Sequence, residues 1–260
     1  APDSVAAAPP GGPVHESWSP LSDEYLADPY PIAAQLRDDH PVFYSAELGY
    51  VVVTRMEDIE SVFMDSDTYA STNVQDQLFP LAPAAGEVLG APDINPTAVM
   101  SNLPQPDHAR IRLYTRQGFS VRRLKTLEEY MRSRCQDLMD EMLASPSKSA
   151  DYVKSVAFPL PAEIVFRFIG FPASDDLMLK SWCVNRKAFS WGQPTAAEQA
   201  EIAEGMLDYW RYTRDFVAER HANRTDDFCS EMLDHHDADP DPTNGTGISY
   251  LEVESVIYGL

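Results

Sequence analysis

Cysteine is scarce in this 260-residue chain: Cys135, Cys183 and Cys229 are the whole set. An odd, sparse set with no C-x-x-C pair fits reduced thiols in a cytoplasm better than a disulfide framework. Long apolar runs are missing too. No stretch reaches the roughly 18 apolar residues of a membrane-spanning helix. Cations are few, 20 Lys and Arg against 41 Asp and Glu, for a net charge of -21. So acidic a surface argues against DNA or an anionic membrane as partner of the whole molecule. The opening residues lack the basic start and apolar core of a secretory signal. Rich in Ala, Pro and Gly, residues 1–17 read as a disordered tail. No G-x-S-x-G, P-loop or G-x-G-x-x-G occurs, so hydrolase, phosphate-loop and dinucleotide-fold readings have no motif behind them. No internal repeat is found.

What remains is an ordinary globular composition, 44% apolar, long enough for one large or two small domains. The pattern is mainly helical, with a small β region near the start. Asp28-Pro29-Tyr30-Pro31 leads into a short helix through Leu36. Pro41–Tyr44 and Tyr50–Thr54, rich in β-branched and aromatic residues around Glu47-Leu48-Gly49, predict a hairpin. Met56, Ile59, Val62 and Phe63 return to helical spacing. Residues 73–106 carry Pro, Ala, Gly and aperiodic apolar side chains, a long loop with the material to line a pocket. Helical stripes follow over 124–142, 161–169 and 174–190. Thr195 with Glu198, and Ser249 with Glu252, form capping boxes that open two more helices. The second of these has just turned strongly apolar when the sequence reaches Leu260, so the chain reads as the front part of a longer protein.

One stretch reverses the charge of the chain. Arg110, Arg112, Arg116, Arg122, Arg123, Lys125, Arg132 and Arg134 fall within 27 residues, opposed there only by Glu128 and Glu129. A cationic patch on an acidic body suggests a site that meets something anionic. His108 and Arg112, four apart, project from one helix face and suit a pair of carboxylates. On spacing alone a solvated basic helix start is the more economical account of this pair, with Asp107 as its N-cap.

In order along the chain come Asp28-Pro29-Tyr30, Val51-Val52-Val53-Thr54-Arg55, Phe63 to Ser71, Pro106-Asp107-His108-Ala109-Arg110-Ile111-Arg112, Gln117-Gly118-Phe119-Ser120 and Ser249-Tyr250-Leu251-Glu252-Val253. This ordered set resembles the cytochrome P-450 haem-thiolate monooxygenases of the soluble bacterial type, over nearly all of Trp18 to Leu260. Leu78-Phe79-Pro80-Leu81 and Ser190-Trp191-Gly192-Gln193-Pro194 are most similar to a subgroup with a fused flavin and iron–sulfur reductase.

The resemblance implies a partial haem-monooxygenase domain over 18–260, equivalent to the N-terminal part of that fold and cut at the start of its long central helix. It implies haem (heme b) as cofactor, with His108 and Arg112 on the propionates. It implies O2 and a small apolar or aromatic substrate, with Leu78, Phe79, Val99, Met100, Phe189 and Trp191 lining the pocket. NAD(P)H-derived electrons would arrive through a reductase or ferredoxin, an acidic partner or a fused domain docking on the basic stretch. The family's acid–alcohol pair, its Glu-x-x-Arg and its cysteine loop have no counterpart here. None of the three cysteines has glycine-rich surroundings, so the iron's thiolate and the catalytic residues are expected beyond Leu260. Gly118 stands where the family more often has Ala, and Leu113 where a further Arg is common.

Other readings are weaker. Asp234, His235, His236, Asp237, Asp239 and Asp241 lack the glycine and terminal Glu of a calcium loop and do not make a closed zinc site. Trp182, Tyr209, Trp210 and Phe216 at helical spacing read as core. A helical, non-catalytic ligand- or partner-binding protein, or half of a split assembly, is the alternative. A nucleic-acid module is opposed by the net charge.

Overall fold

The structure, a computed structural model, describes residues 13–15, 18–97, 100–146, 149–183 and 186–260. The chain divides into two compact units, Ala1–Ser71 and Thr72–Leu260. Of the tail expected at 1–17, only 13–15 is described; the rest lies outside the described residues.

In the first unit a three-stranded sheet runs in the order β1 (Val14–His15), β2 (Val42–Ser45), β3 (Tyr50–Val53). β1 lies parallel to β2, and β2 antiparallel to β3 with Val42 opposite Val53 and Ser45 opposite Tyr50. The hairpin closes where the sequence places it. Gly49 takes a φ of 70°, and Ser45 Oγ accepts the Leu48 N–H at 3.3 Å. Around the sheet lie α1 (Asp23–Ala27), α2 (Pro29–Asp39) and α3 (Met56–Met64). Asp28 caps α2 through Tyr30 N–H, with prolines in the first turn that cost the helix no needed donor. Phe43 is buried beneath Trp18, whose ring stands edge-on to it at 5.2 Å.

The second unit is helical. The loop expected at 73–106 contains one short helix, α4 (Pro83–Leu89). Then come α5 (Asp107–Gly118), α6 (Val121–Leu143), a π-helical turn at Val153–Ala157 and α7 (Pro159–Ile169). The single helix expected over 174–190 is instead two: α8 (Asp176–Cys183) and α9 (Ala188–Trp191). The long α10 (Ala196–Ala222), α11 (Phe228–Ala238) and α12 (Tyr250–Gly259) complete it. Both capping boxes form, at Thr195/Glu198 and Ser249/Glu252.

The core gathers α7, α10, α11 and α12 around Tyr209, Trp210, Phe228, Met232, Leu233 and Ile257, all essentially sealed from water. Each such side chain contributes about 1.5–3 kcal/mol of transfer free energy. Trp210 satisfies its one polar atom on the Asp93 carbonyl at 2.7 Å. A smaller cluster of Ala85, Phe189, Ile202 and Ala203 seats α4 on α10, fixed by the Ala82 N–H on Gln199 Oε1 at 2.7 Å. α7 ends on Gly170 at φ 106°, where a Cβ would lie 2.2 Å from the Asp227 carboxylate. Among the described residues no helix is long and apolar enough to cross a membrane.

Candidate functional site

The basic stretch folds into α5 and α6, and its cations meet opposite fates. α5 buries Arg110, Ile111, Thr115 and Gly118. His108, Arg112 and Arg116 follow one another at four-residue spacing away from that face. Arg110 is the structural member. Its Nη2 lies 2.6 Å from Glu252 Oε1 and 2.9 Å from Asp107 Oδ1, and its Nη1 donates to the Gly247 carbonyl at 2.7 Å. These bonds tie the start of α5 to the start of α12, where Glu252 already closes the capping box with Ser249. Burial alone would raise the Glu252 carboxyl. The hydrogen bonds from Arg110 and Ser249 outweigh it and hold the group below its ordinary value. Asp107, expected as the N-cap, is the first residue of the helix. Pro106 stands at the cap position, and the Asp107 carboxylate is spent on Arg110 instead.

Arg112 is exposed and, among the described residues, meets no carboxylate. His108 is half-buried, its Nδ1 3.2 Å from the Gln105 side-chain amide nitrogen. That nitrogen can only donate, so this contact uses Nδ1 as an acceptor and leaves Nε2 to reach a ligand. An imidazole and an arginine fork thus stand one helical turn apart, and among the described residues the Arg112 charge has no acidic partner in a chain of charge -21. Arg123, Arg132 and Arg134 are engaged elsewhere, on Glu231 at 2.7 Å, Glu128 at 2.9 Å and Glu163 at 2.6 Å. Arg116, Arg122 and Lys125 are exposed without an ion pair among the described residues.

The second feature is a cavity of about 670 Å³, within the range of small-molecule sites. Its walls come from the 74–101 stretch, α7, α8, α9, α10 and the end of α12, and include Leu89, Val165, Phe166, Phe189 and Met206. Gln75 ties the loop internally through Ser101 Oγ at 2.6 Å. Of the residues expected to line a pocket, Phe189 does so. Leu78 and Phe79 are half-buried beside lining residues Gln75 and Gln77 without lining it themselves. Met100 packs against the main core, and its sulfur accepts from Thr115 Oγ1 at 3.1 Å. Val99 and the Trp191 side chain lie outside the described residues. Tyr209 serves both core and cavity wall.

Two of the three cysteines are poor sources of a thiolate. Cys229 is sealed in the core, and burial pushes its thiol well above the usual range; burial raises Cys183 as well. A metal-binding thiol needs the opposite shift. Cys135 is half-buried on α6. The donors that α5 leaves open, an arginine fork and an imidazole, are of the kind that meets carboxylates, whereas the raised thiols of Cys183 and Cys229 do not suit a metal. Several members of the acidic segment have partners within the fold. Asp234 and Asp237 hold Arg224, Asp239 accepts from Thr246, and His236 meets the Ile248 carbonyl. No group of three or more His, Cys, Asp or Glu among the described residues is arranged for a metal ion.

Sequence reasoning missed Arg110 as a buried strut and Arg186 as a cavity cation. A signal for the first was available in part: Asp107 stands three positions before Arg110, at ion-pair spacing on one helix, whereas Glu252 is brought to it only by the fold.

No protein-family model matches the chain. Among curated proteins it is 26% identical over 216 residues to a steroid C26-monooxygenase of Mycolicibacterium smegmatis, covering 77% of this chain and 47% of that protein. It is 26% identical over 230 residues to a nocardicin C N-oxygenase of Nocardia uniformis, covering 85% and 52%. Among solved structures it superposes on cytochrome P450 CREJ with a TM-score of 0.82 and 26% identity, over 95% of this chain and 58% of that one. The chain spans about half the length of the curated relatives it matches.

Proposed function

We propose that this chain, a relative of the cytochrome P450 monooxygenases in sequence and in fold, works as the N-terminal part of a haem-thiolate monooxygenase that inserts one oxygen atom from O2 into a small apolar or aromatic molecule. The observation that carries the proposal is the exposed guanidinium of Arg112 on α5, one turn from His108. Arg112 lacks any carboxylate among the described residues while Arg110, two residues away, is saturated with them. Haem, when bound, supplies the oxygen activation.

The protein's part is to hold and to exclude. Arg112 presents a fork and His108 a single N–H to the two propionates, so charge and direction are both fixed. Arg110 holds the first turn of α5 against α12, so the clamp is not left on a fraying helix end. The cavity beneath α9 would take the substrate, its Phe166, Phe189 and Met206 surfaces keeping water from the reacting region. The thiolate would come from residues other than Cys135, Cys183 and Cys229. Electrons would reach the haem from a reductase or ferredoxin whose acidic surface meets Arg116, Arg122 and Lys125.

Protein expressed from its full reading frame tests this. The proposal expects a haem protein whose reduced carbon-monoxide adduct has the red-shifted Soret band of thiolate ligation. It also expects NAD(P)H- and O2-dependent oxidation of a small aromatic panel in the presence of a reductase. A colourless protein that gains no Soret band on adding haem would overturn it and favour the helical binding protein.

A further inference from the structure

The cavity reverses the sign of the chain a second time. Arg186 and Lys187 line it, and among the described residues no Asp or Glu side chain does, in a sequence with 41 acids to 20 bases. Arg186 is partly buried. One Nη1 hydrogen bond reaches the Tyr258 carbonyl at 2.9 Å, and the guanidinium lies 4.4 Å from the Tyr258 ring centroid and 5.9 Å from that of Tyr209. Aromatic faces and one carbonyl hold a cation in place without neutralising it. Arg110, Arg123, Arg134 and Arg220, also withdrawn from water, each hold a carboxylate. Arg186 pairs with none among the described residues. With one of its five donors used, four remain for a ligand. A guanidinium kept partly dry and unpaired is costly unless something anionic completes it.

We propose that the cavity selects substrates bearing a carboxylate, an aryl- or alkyl-carboxylic acid whose head is bound by Arg186 and whose apolar body lies against Val165, Phe166 and Phe189. The planar fork of Arg186 matches a carboxylate bidentately, which a neutral amide cannot reproduce. Lys187 adds a second positive charge to the same wall. Within a monooxygenase, Arg186 thus sets which end of the molecule stays away from oxidation. This rests on the reading of the cavity as the substrate site.

Calorimetric titration of the full chain with phenylbutyrate and with phenylbutyramide, equal in size and differing in charge, tests it. The carboxylate is expected to bind about 10- to 100-fold more tightly than the amide. Arg186→Gln should abolish that preference while leaving the amide's affinity unchanged, and Arg186→Lys should retain part of it. Ala162→Trp, which fills the cavity from α7, should weaken both ligands. Equal affinities in the unaltered chain, both lost on Ala162→Trp, would refute the carboxylate preference and leave the cavity as a binding site. No binding by either ligand, or binding indifferent to Ala162→Trp, would overturn the cavity reading together with the preference.

Discussion

Replacing Arg110 with Met removes the strut between α5 and α12 while keeping an unbranched side chain of similar reach. Arg110 is 9% exposed and hydrogen-bonded to Asp107, the Gly247 carbonyl and both oxygens of Glu252. Breaking a buried pair from one side costs about 3–5 kcal/mol, because the remaining charge is stranded. Glu252 keeps 15% side-chain exposure and its two bonds from Ser249, so the lower end, about 3 kcal/mol, is expected. For a unit of this size that is a fall in melting temperature of about 6–12 °C. Urea unfolding of Arg110→Met at neutral pH measures it. Arg110→Met/Glu252→Gln should recover part of the loss, since no charge is then left without a partner. The pH dependence has a definite sign. The folded Glu252 carboxyl is depressed below its unfolded value, so its contribution is present above the unfolded value and is lost as pH falls through the folded one. The difference between the unaltered chain and Arg110→Met should shrink over that acid window. A neutral-pH loss under about 1 kcal/mol, or a double variant no better than the single, would refute the strut.

Gly118→Ala should destabilise by about 1–3 kcal/mol in urea titration even though Ala is the better helix former. A Cβ there would lie 2.3 Å from the Phe228 ring, which is sealed and stacked on Phe168, so a stabilised variant would contradict the packing. Reversing Arg122 and Lys125 to Glu should leave stability within about 0.5 kcal/mol, since neither has an ion pair among the described residues. The same change should slow reduction by an acidic donor about tenfold at low salt and much less at high salt; a salt-independent effect would count against docking there.

The legible parts of the fold are those fixed by local chemistry. The hairpin at 42–53 and both capping boxes follow from neighbouring residues and formed as expected. The mainly helical architecture with a small sheet is likewise as read. What could not be read is what depends on distant partners. In sequence the cationic stretch faces only Glu128 and Glu129; in space Glu231, Glu163 and Glu252 neutralise Arg123, Arg134 and Arg110. The helix expected over 174–190 is two elements because periodicity cannot sense where the cavity wall turns between α8 and α9. The cavity cation Arg186 was invisible for the same reason: its environment is made by Tyr209 and Tyr258, on two other helices.

Two arginines two residues apart have opposite roles, Arg110 structural and Arg112 left for a ligand. The direct measurement is haem occupancy, Soret absorbance per protein, of Arg112→Ala and Arg112→Lys in protein from the full reading frame, with urea unfolding of the same chains. Arg112→Ala is expected to lose most of its haem while its apoprotein stability stays within about 0.5 kcal/mol, and Arg112→Lys to recover part of the haem. Full haem retention in Arg112→Ala would contradict it, as would a stability loss as large as that of Arg110→Met.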